Sequence, residues 1–312
     1  MSLVDSTYGN QVPDFYRTMF ETNWKEAVQF KRSQLVSTVM NQQYTEQLAR
    51  INLFEEAQPL NAKAGRIQPT VTNEVNGKFR WLATSDFDQA YILDEFDASK
   101  LEPLVSPQSE ALRNMGYAFD KKVDQIIMAA ITADVKEGKT AGTTVSWDST
   151  HTIAKDYVAS GSATNSGLTW DKICRVNQLL KENYVNPGLG DEIYFVISPQ
   201  DEQDLLQISE VKNSLYTGPY GNNTVTNTGT INGKEFMGFK WVVSPLITAT
   251  SNVKTCYVYR KDAILFNPGV QMHYVDRRPD RSNAIQLRMA CYMGALRQYD
   301  RPVFTVQTYH AA

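Results

Sequence analysis

The residues best placed for chemistry in this sequence are carboxylates. Asp86 and Asp88 alternate around Phe87, and Asp94, Glu95 and Asp97 follow a few residues later. Alternate positions of a strand share one face, so Asp86, Asp88 and Asp94 could gather oxygen ligands for magnesium or calcium, as a metal-dependent enzyme requires. The simpler account is that these carboxylates solvate a surface or pair with cations on another copy of the chain. A matching basic knot, Arg277-Arg278-Pro279-Asp280-Arg281, lies far along the sequence. Pairs of that kind across an interface set register more than affinity.

Other reactive residues are sparse. His151, His273 and His310 are the three histidines, each remote from the others and from any cysteine, so no ligand or relay spacing is formed. Cys174, Cys256 and Cys291 contain no C-x-x-C pair and read as small core residues. The elbow G-x-S-x-G, the phosphate loop G-x-x-x-x-G-K-[ST] and the dinucleotide fingerprint G-x-G-x-x-G do not occur, which removes the commonest hydrolase and nucleotide-binding signatures. No catalytic residue, cofactor or metal site is expected from this inventory.

The elements that must position these residues follow from periodicity. From Pro13 to Phe54 the chain is rich in helix formers, with large apolar residues at Phe15, Met19, Phe20, Trp24, Val28, Leu35, Val36 and Val39. The spacing is only partly helical and predicts a helical piece within an extended arm. Ile67, Val71 and Val75 precede Asn76-Gly77, and Phe79, Trp81 and Ala83 follow at alternate positions. Asn-Gly favours a type I′ turn, so a hairpin is expected, and an isolated ribbon of this kind needs something to pack on. Ser106 and Pro107 then open a long amphipathic helix through Met115, Phe119, Val123, Ile126 and Ile131, expected to run to Glu137 over about 45 Å.

After a Thr/Ser/Gly-rich loop with short strands expected near Val145 and Tyr157, helical spacing returns from Trp170 to Tyr184. A buried strand at Ile193–Ile197 follows, then a helix from Gln200 to Ile208 capped by Ser198, with Asp201 and Glu202 in its first turn. Further strands are expected at 238–243, 255–259, 264–266, 270–275, 284–296 and 303–308.

Composition sets the class. At 312 residues, 42% apolar and 21% charged, the chain can bury a substantial core without staples. A net charge of -3 gives no basic field for gripping nucleic acid. No apolar run reaches membrane-spanning length and the N-terminus lacks a secretory pattern, so a cytoplasmic product is expected. The 16 tyrosines suit protein interfaces.

Arm, long hairpin, long helix, α/β unit and returning strands, in that order, resemble the shell fold of tailed-bacteriophage and herpesvirus major capsid proteins. Locally, the stretch Phe87-Asp-Gln-Ala-Tyr-Ile-Leu-Asp-Glu-Phe-Asp97, with Pro107, Met115-Gly-Tyr-Ala-Phe-Asp120 and Phe15-Tyr-Arg-Thr-Met-Phe20, is similar to a group of phage capsid proteins. The resemblance implies an α+β tailed-phage major capsid fold. Residues 1–60 would form an N-terminal arm, 61–104 an extended hairpin loop, 105–168 a peripheral domain with its spine helix, 169–251 an axial α/β domain, and 252–312 return strands completing the peripheral domain. It implies a virion shell of hexamers and pentamers around double-stranded DNA, bound without sequence specificity and without a membrane.

The implied partners are further copies of the chain, a portal protein and, in some relatives, a decoration protein. The short segment before the extended loop leads us to expect a separate scaffolding protein. Trp24, Asn76, Gly77, Phe79, Trp81, Asp86, Asp88, Asp94, Arg277, Arg278 and Arg281 are the expected intersubunit contacts. Other readings are an encapsulin-type nanocompartment shell, a metal-dependent enzyme using Asp86, Asp88 and Asp94, or a tail tube or fibre protein.

Overall fold

A computed structural model describes residues 32–54, 65, 77–93, 107–186, 190–209 and 230–311. Phe15, Met19, Phe20, Trp24, Val28, Asn76 and Asp94 lie outside these residues, as do Ile67, Val71 and Val75.

The first described elements are a 3₁₀ turn at Val36–Thr38 and two strands, β1 (Met40–Asn41) and β2 (Leu48–Phe54). Of the arm expected over Pro13 to Phe54, the described part ends in a strand. Ala49, Ile51 and Leu53 are buried while their neighbours are exposed, a period of two that a strand satisfies and a helix does not. β3 (Gly77–Ala83) pairs antiparallel with β2 from Gly77 opposite Phe54 to Ala83 opposite Leu48. At Arg80 and Trp81 its other edge is taken by β5 (Val135–Glu137). The first arm of the hairpin expected across Asn76-Gly77 lies outside the described residues. β6 (Thr143–Val145) completes this four-stranded sheet, ordered β2-β3-β5-β6.

One residue, Thr84, separates β3 from β4 (Ser85–Leu93), which leaves the four-stranded sheet and joins another. The spine helix α1 spans Pro107–Thr132. It stops five residues short of the expected end, because Val135–Glu137 gains strand partners on both sides. Gly138, next in the chain, lies in the β5–β6 turn with φ of 94°.

β7 (Thr152–Ile153) replaces the strand expected at Tyr157. Helix α2 (Trp170–Glu182), strand β8 (Ile193–Ile197) and helix α3 (Pro199–Gln207) match their expected positions within two residues. Ser198 caps α3 through a capping box with Asp201, satisfying otherwise orphaned amides at the helix start. β9 (Glu235–Phe236), β10 (Phe239–Val243), β11 (Val253–Arg260), β12 (Ile264–Asn267), β13 (Gln271–Arg278), β14 (Ala284–Arg297) and β15 (Val303–Tyr309) follow.

A six-stranded sheet runs β7-β15-β11-β8-β10-β9, drawing strands from both sides of residue 251. One face buries Phe195, Ile197, Trp241, Val258 and Phe304 against α2 and α3, through Ile173, Val176, Leu180 and Leu205. Its other face sends Val196, Val242 and Tyr259 into a second core with Val123, Ile127 and Ile131 of α1. Coverage on both faces explains the continuous apolar run of β8.

β14 is the backbone of the third sheet. Over about 45 Å it pairs with β13 and β4 on its two edges and then with β12. Two glycines permit this path. Gly294 passes so close to β3 that a Cβ would sit 2.5 Å from the Ala83 carbonyl oxygen. Gly269, at φ of 59°, has no room for a Cβ, which would lie 1.6 Å from the Tyr292 carbonyl oxygen. Gly269→Ala adds backbone strain to a clash with main chain and should cost about 2–4 kcal/mol in chemical denaturation.

Candidate assembly surface

The carboxylates singled out in the sequence stand on an exposed ribbon. Within β4, Asp86, Asp88, Ala90 and Ile92 share one exposed face. Asp88 is held by Arg288 of β14 in a forked pair with contacts of 2.7 to 3.1 Å. Hydrogen bonding from Arg288 keeps the Asp88 carboxyl below the usual carboxylate range. Among the described residues, the basic knot does not meet Asp86 or Asp88. Arg277 stands opposite Ile285 and Asp88 opposite Ala290, about 16 Å apart along β14. Arg278 forks onto Asp280 at 2.9 Å and also reaches Gln286, and Arg281 is exposed in a short turn. Asp88→Asn should leave the melting temperature of the subunit unchanged, since exposed ion pairs contribute little; a drop of several degrees would show that the pair shapes the fold.

The ribbon carries apolar residues on both faces. On one, Ile92, Met272 and Tyr274 are 46%, 42% and 42% exposed. On the other, α1 covers Leu287 and Met289 through Met115. A helix is about 10 Å wide and strands are about 4.8 Å apart. The helix therefore covers the central strand and leaves Val275 and Tyr91 uncovered on the flanking strands, Val275 at 60% exposure. Gly77 is exposed at the end of β3. Phe79 and Trp81 are partly spoken for inside the subunit: the Arg50 guanidinium lies 4.9 Å from the Phe79 ring, and Trp81 Nε1 donates to the Gly138 carbonyl at 2.7 Å.

Behind this surface, three buried polar clusters tie distant parts of the chain together. Arg80 of β3 donates to Glu137, to the Arg297 and Gln298 carbonyls, and to Asp300. Arg297, 1% exposed, donates to Asp300 at 2.6 Å and to the Ile131 and Ala133 carbonyls at 2.6 and 2.9 Å, capping the end of α1. Burial would raise the Asp300 carboxyl, but hydrogen bonds and charge from Arg80 and Arg297 bring it below its ordinary range. Asp124 of α1 accepts from Ser33 Oγ at 2.5 Å and from the Gln34 and Leu35 amides, pinning the root of the arm to the spine helix.

The third cluster corrects the reading of the histidines as isolated. His310 Nε2 lies 2.8 Å from Asp201 Oδ1, while Ser198 and Cys256 donate to Asp201 Oδ2. Burial pushes the Asp201 carboxyl up, yet donors from Ser198, His310, Thr308 and Cys256 outweigh it and leave it lowered. Asp204 is adjacent, and the three donor groups lie within 4.8 Å of one another. Both Asp201 oxygens are already engaged, so the arrangement clasps the chain's last strand to α3. The expectation that all three cysteines are buried also fails at Cys174, which is exposed on α2.

A sequence model of the family described as phage capsid protein matches residues 12–308. The chain belongs to the phage capsid protein family. It is thus a structural subunit of a virion shell, and the α+β architecture described above is the tailed-phage major capsid fold. Solved capsid structures share that fold at low identity. The acidic stable capsid structure of Helicobacter pylori bacteriophage KHP30 aligns with a TM-score of 0.67 at 10% identity, covering 99% of this chain and 100% of that one. The cyanophage Pam1 capsid gives 0.65 at 14% identity, covering 100% and 99%. Mycobacterium phage Che8 gives 0.64 at 15% identity, covering 96% and 98%. No curated protein sequence matches the chain. No helix among the described residues is long and apolar enough to cross a membrane.

Proposed function

We propose that this capsid protein tiles an icosahedral head as hexamers and pentamers, enclosing double-stranded DNA, and that it does no catalysis. The observation carrying the proposal is the uncovered ribbon of β4, β14 and β13. An elongated, apolar-studded sheet whose outer edges pair with no strand among the described residues is a surface that a monomer has no use for. In the shell, a neighbouring subunit covers it. The acids Asp86 and Asp88 and the cations Arg277, Arg278 and Arg281 then set register between copies, with Gly77, Phe79 and Trp81 at the ribbon's base. Trp24, Asn76 and Asp94 belong to the same proposed contact set.

In this reading the α/β unit around the six-stranded sheet is the axial part of the subunit, and α1 with the long ribbon is the peripheral part. A scaffolding protein, a portal and a decoration protein are the further partners that the capsid role brings. Each contact between copies is modest, and stability comes from their multiplicity.

Expression alone and with a candidate scaffold, followed by negative-stain electron microscopy and size exclusion, tests the proposal. Shells, capsomers or hexamer-sized rings are expected. A monodisperse monomer or dimer in both preparations would refute it.

A further inference from the structure

A groove opens where the root of the arm crosses α1. It encloses about 980 Å³ and is lined by Val36 of the arm root, Phe119 and Val123 of α1, Tyr194 of β8, Val242 of β10 and Phe266 of β12. One wall holds a polar group short of a partner. Gln34 lines the groove, and its buried Oε1 accepts no hydrogen bond among the described residues. A buried acceptor left unpaired costs free energy. Apolar walls with one unmet acceptor suit a polypeptide, which brings apolar side chains and backbone N–H donors together.

The chain itself supplies that polypeptide. Residues 1–31 join the described chain at Arg32, and Arg32 is one of the groove's lining residues. The junction is firmly anchored to α1. Asp124 accepts from the Ser33 hydroxyl and from the Gln34 and Leu35 amides, and the Ser33 backbone also bonds to Asp120. Upstream, Phe20, Trp24 and Val28 recur every four residues, a spacing that puts them on one face of a helix. A segment tethered this close has an effective concentration on the order of millimolar, which a free partner does not match. Tethering decides the occupant in favour of the chain's own arm.

We propose that residues 20–31 fold back into this groove in the unassembled subunit, with Phe20, Trp24 and Val28 against its apolar walls, and leave it when a neighbouring copy takes the arm. The release step rests on the shell-subunit reading above, and the docking does not. Stowed in this way, the arm restrains assembly. A neighbour sees only the fraction of subunits whose arm is free, and its apparent affinity falls by that fraction.

Limited trypsin digestion of the full-length monomer reads the docking through cleavage after Lys25 and Lys31. The test compares wild type, S37W and V28D. Ser37 is exposed and lines the groove, so a tryptophan there fills the groove from its rim, while V28D puts a charge on the docking stripe. Both should raise the cleavage rate about tenfold at an unchanged melting temperature, since cleavage tracks the population of the open form. S37W should also lower the concentration needed for assembly by about the same factor. Equal cleavage of wild type and V28D overturns the docking. So does protection of the wild type that sets in only where subunits associate, which would give the groove to another copy's arm. Faster cleavage of S37W at an unchanged assembly threshold overturns the restraint on assembly. A wild type that is protected yet never assembles overturns the shell reading and leaves the docking standing.

Discussion

A subunit carrying Ile92→Lys and Met272→Lys together should fold like the wild type and form no shells. Both side chains project from one face of the ribbon and are nearly half exposed. In the free subunit each lysine keeps its ammonium in water, and the cost to folding is within about 0.5 kcal/mol per site. In the proposed shell contact the same face is covered, and each uncompensated buried charge costs about 3–5 kcal/mol. Every 1.4 kcal/mol is a factor of ten in association, so even one such penalty raises the assembly threshold by more than about 100-fold. Circular dichroism and thermal melting of the subunit should be unchanged, while sedimentation and electron microscopy show no particles. Shells formed at wild-type concentration would mean that the ribbon faces solvent in the assembly.

The second large effect is on the fold. Arg297→Met should destabilise the subunit by about 3–5 kcal/mol, measured by denaturant unfolding. The methionine fills much of the volume but leaves the Ile131 and Ala133 carbonyls without their donor at the end of α1, and takes one of two guanidinium partners from Asp300. It also removes the cation lying 5.0 Å from the Trp147 ring. Asp300→Asn keeps the shape of the site and tests its charge separately. The Asp300 carboxyl is lowered in the folded chain, so its stabilising contribution is present above the unfolded value near pH 4. That contribution disappears as pH falls through the lower folded value. The wild type should therefore lose stability on acidification below about pH 4 more steeply than Asp300→Asn.

Elements with a strong local signature were legible in the sequence. Ser198 before Pro199, with acids following, located the start of α3, and the unbroken apolar run located β8. β2 was missed because its Leu48, Ala49 and Arg50 favour helices individually. The alternation of Ala49, Ile51 and Leu53 that overrules them gains value only when β3 lies alongside. The end of α1 was missed for the same reason: Val135–Glu137 is helix-compatible until β3 and β6 offer it a ladder. Asp86 and Asp88 were found with their strand-like alternation, but their cation, Arg288, sits inside a strand with no local mark of its role. The clasp of His310 on Asp201 joins residues 109 positions apart, a distance across which spacing carries no signal.

The sequence by itself determined the class of the protein. Its order of arm, hairpin, spine helix, α/β unit and long return strands resembles a capsid shell protein, and that order was legible because local periodicity and turn chemistry are written within a dozen residues. Only the tertiary structure decided which strands pair, which charges are buried and which apolar residues stay uncovered. Arg80 and Arg297 are 217 positions apart and meet at a shared carboxylate. Val275 and Leu287 are both apolar, and the one that α1 covers is set by the width of a helix on a three-stranded ribbon. Burial is a property of the packed chain, so the surface available for assembly could be read only once the packing was in place.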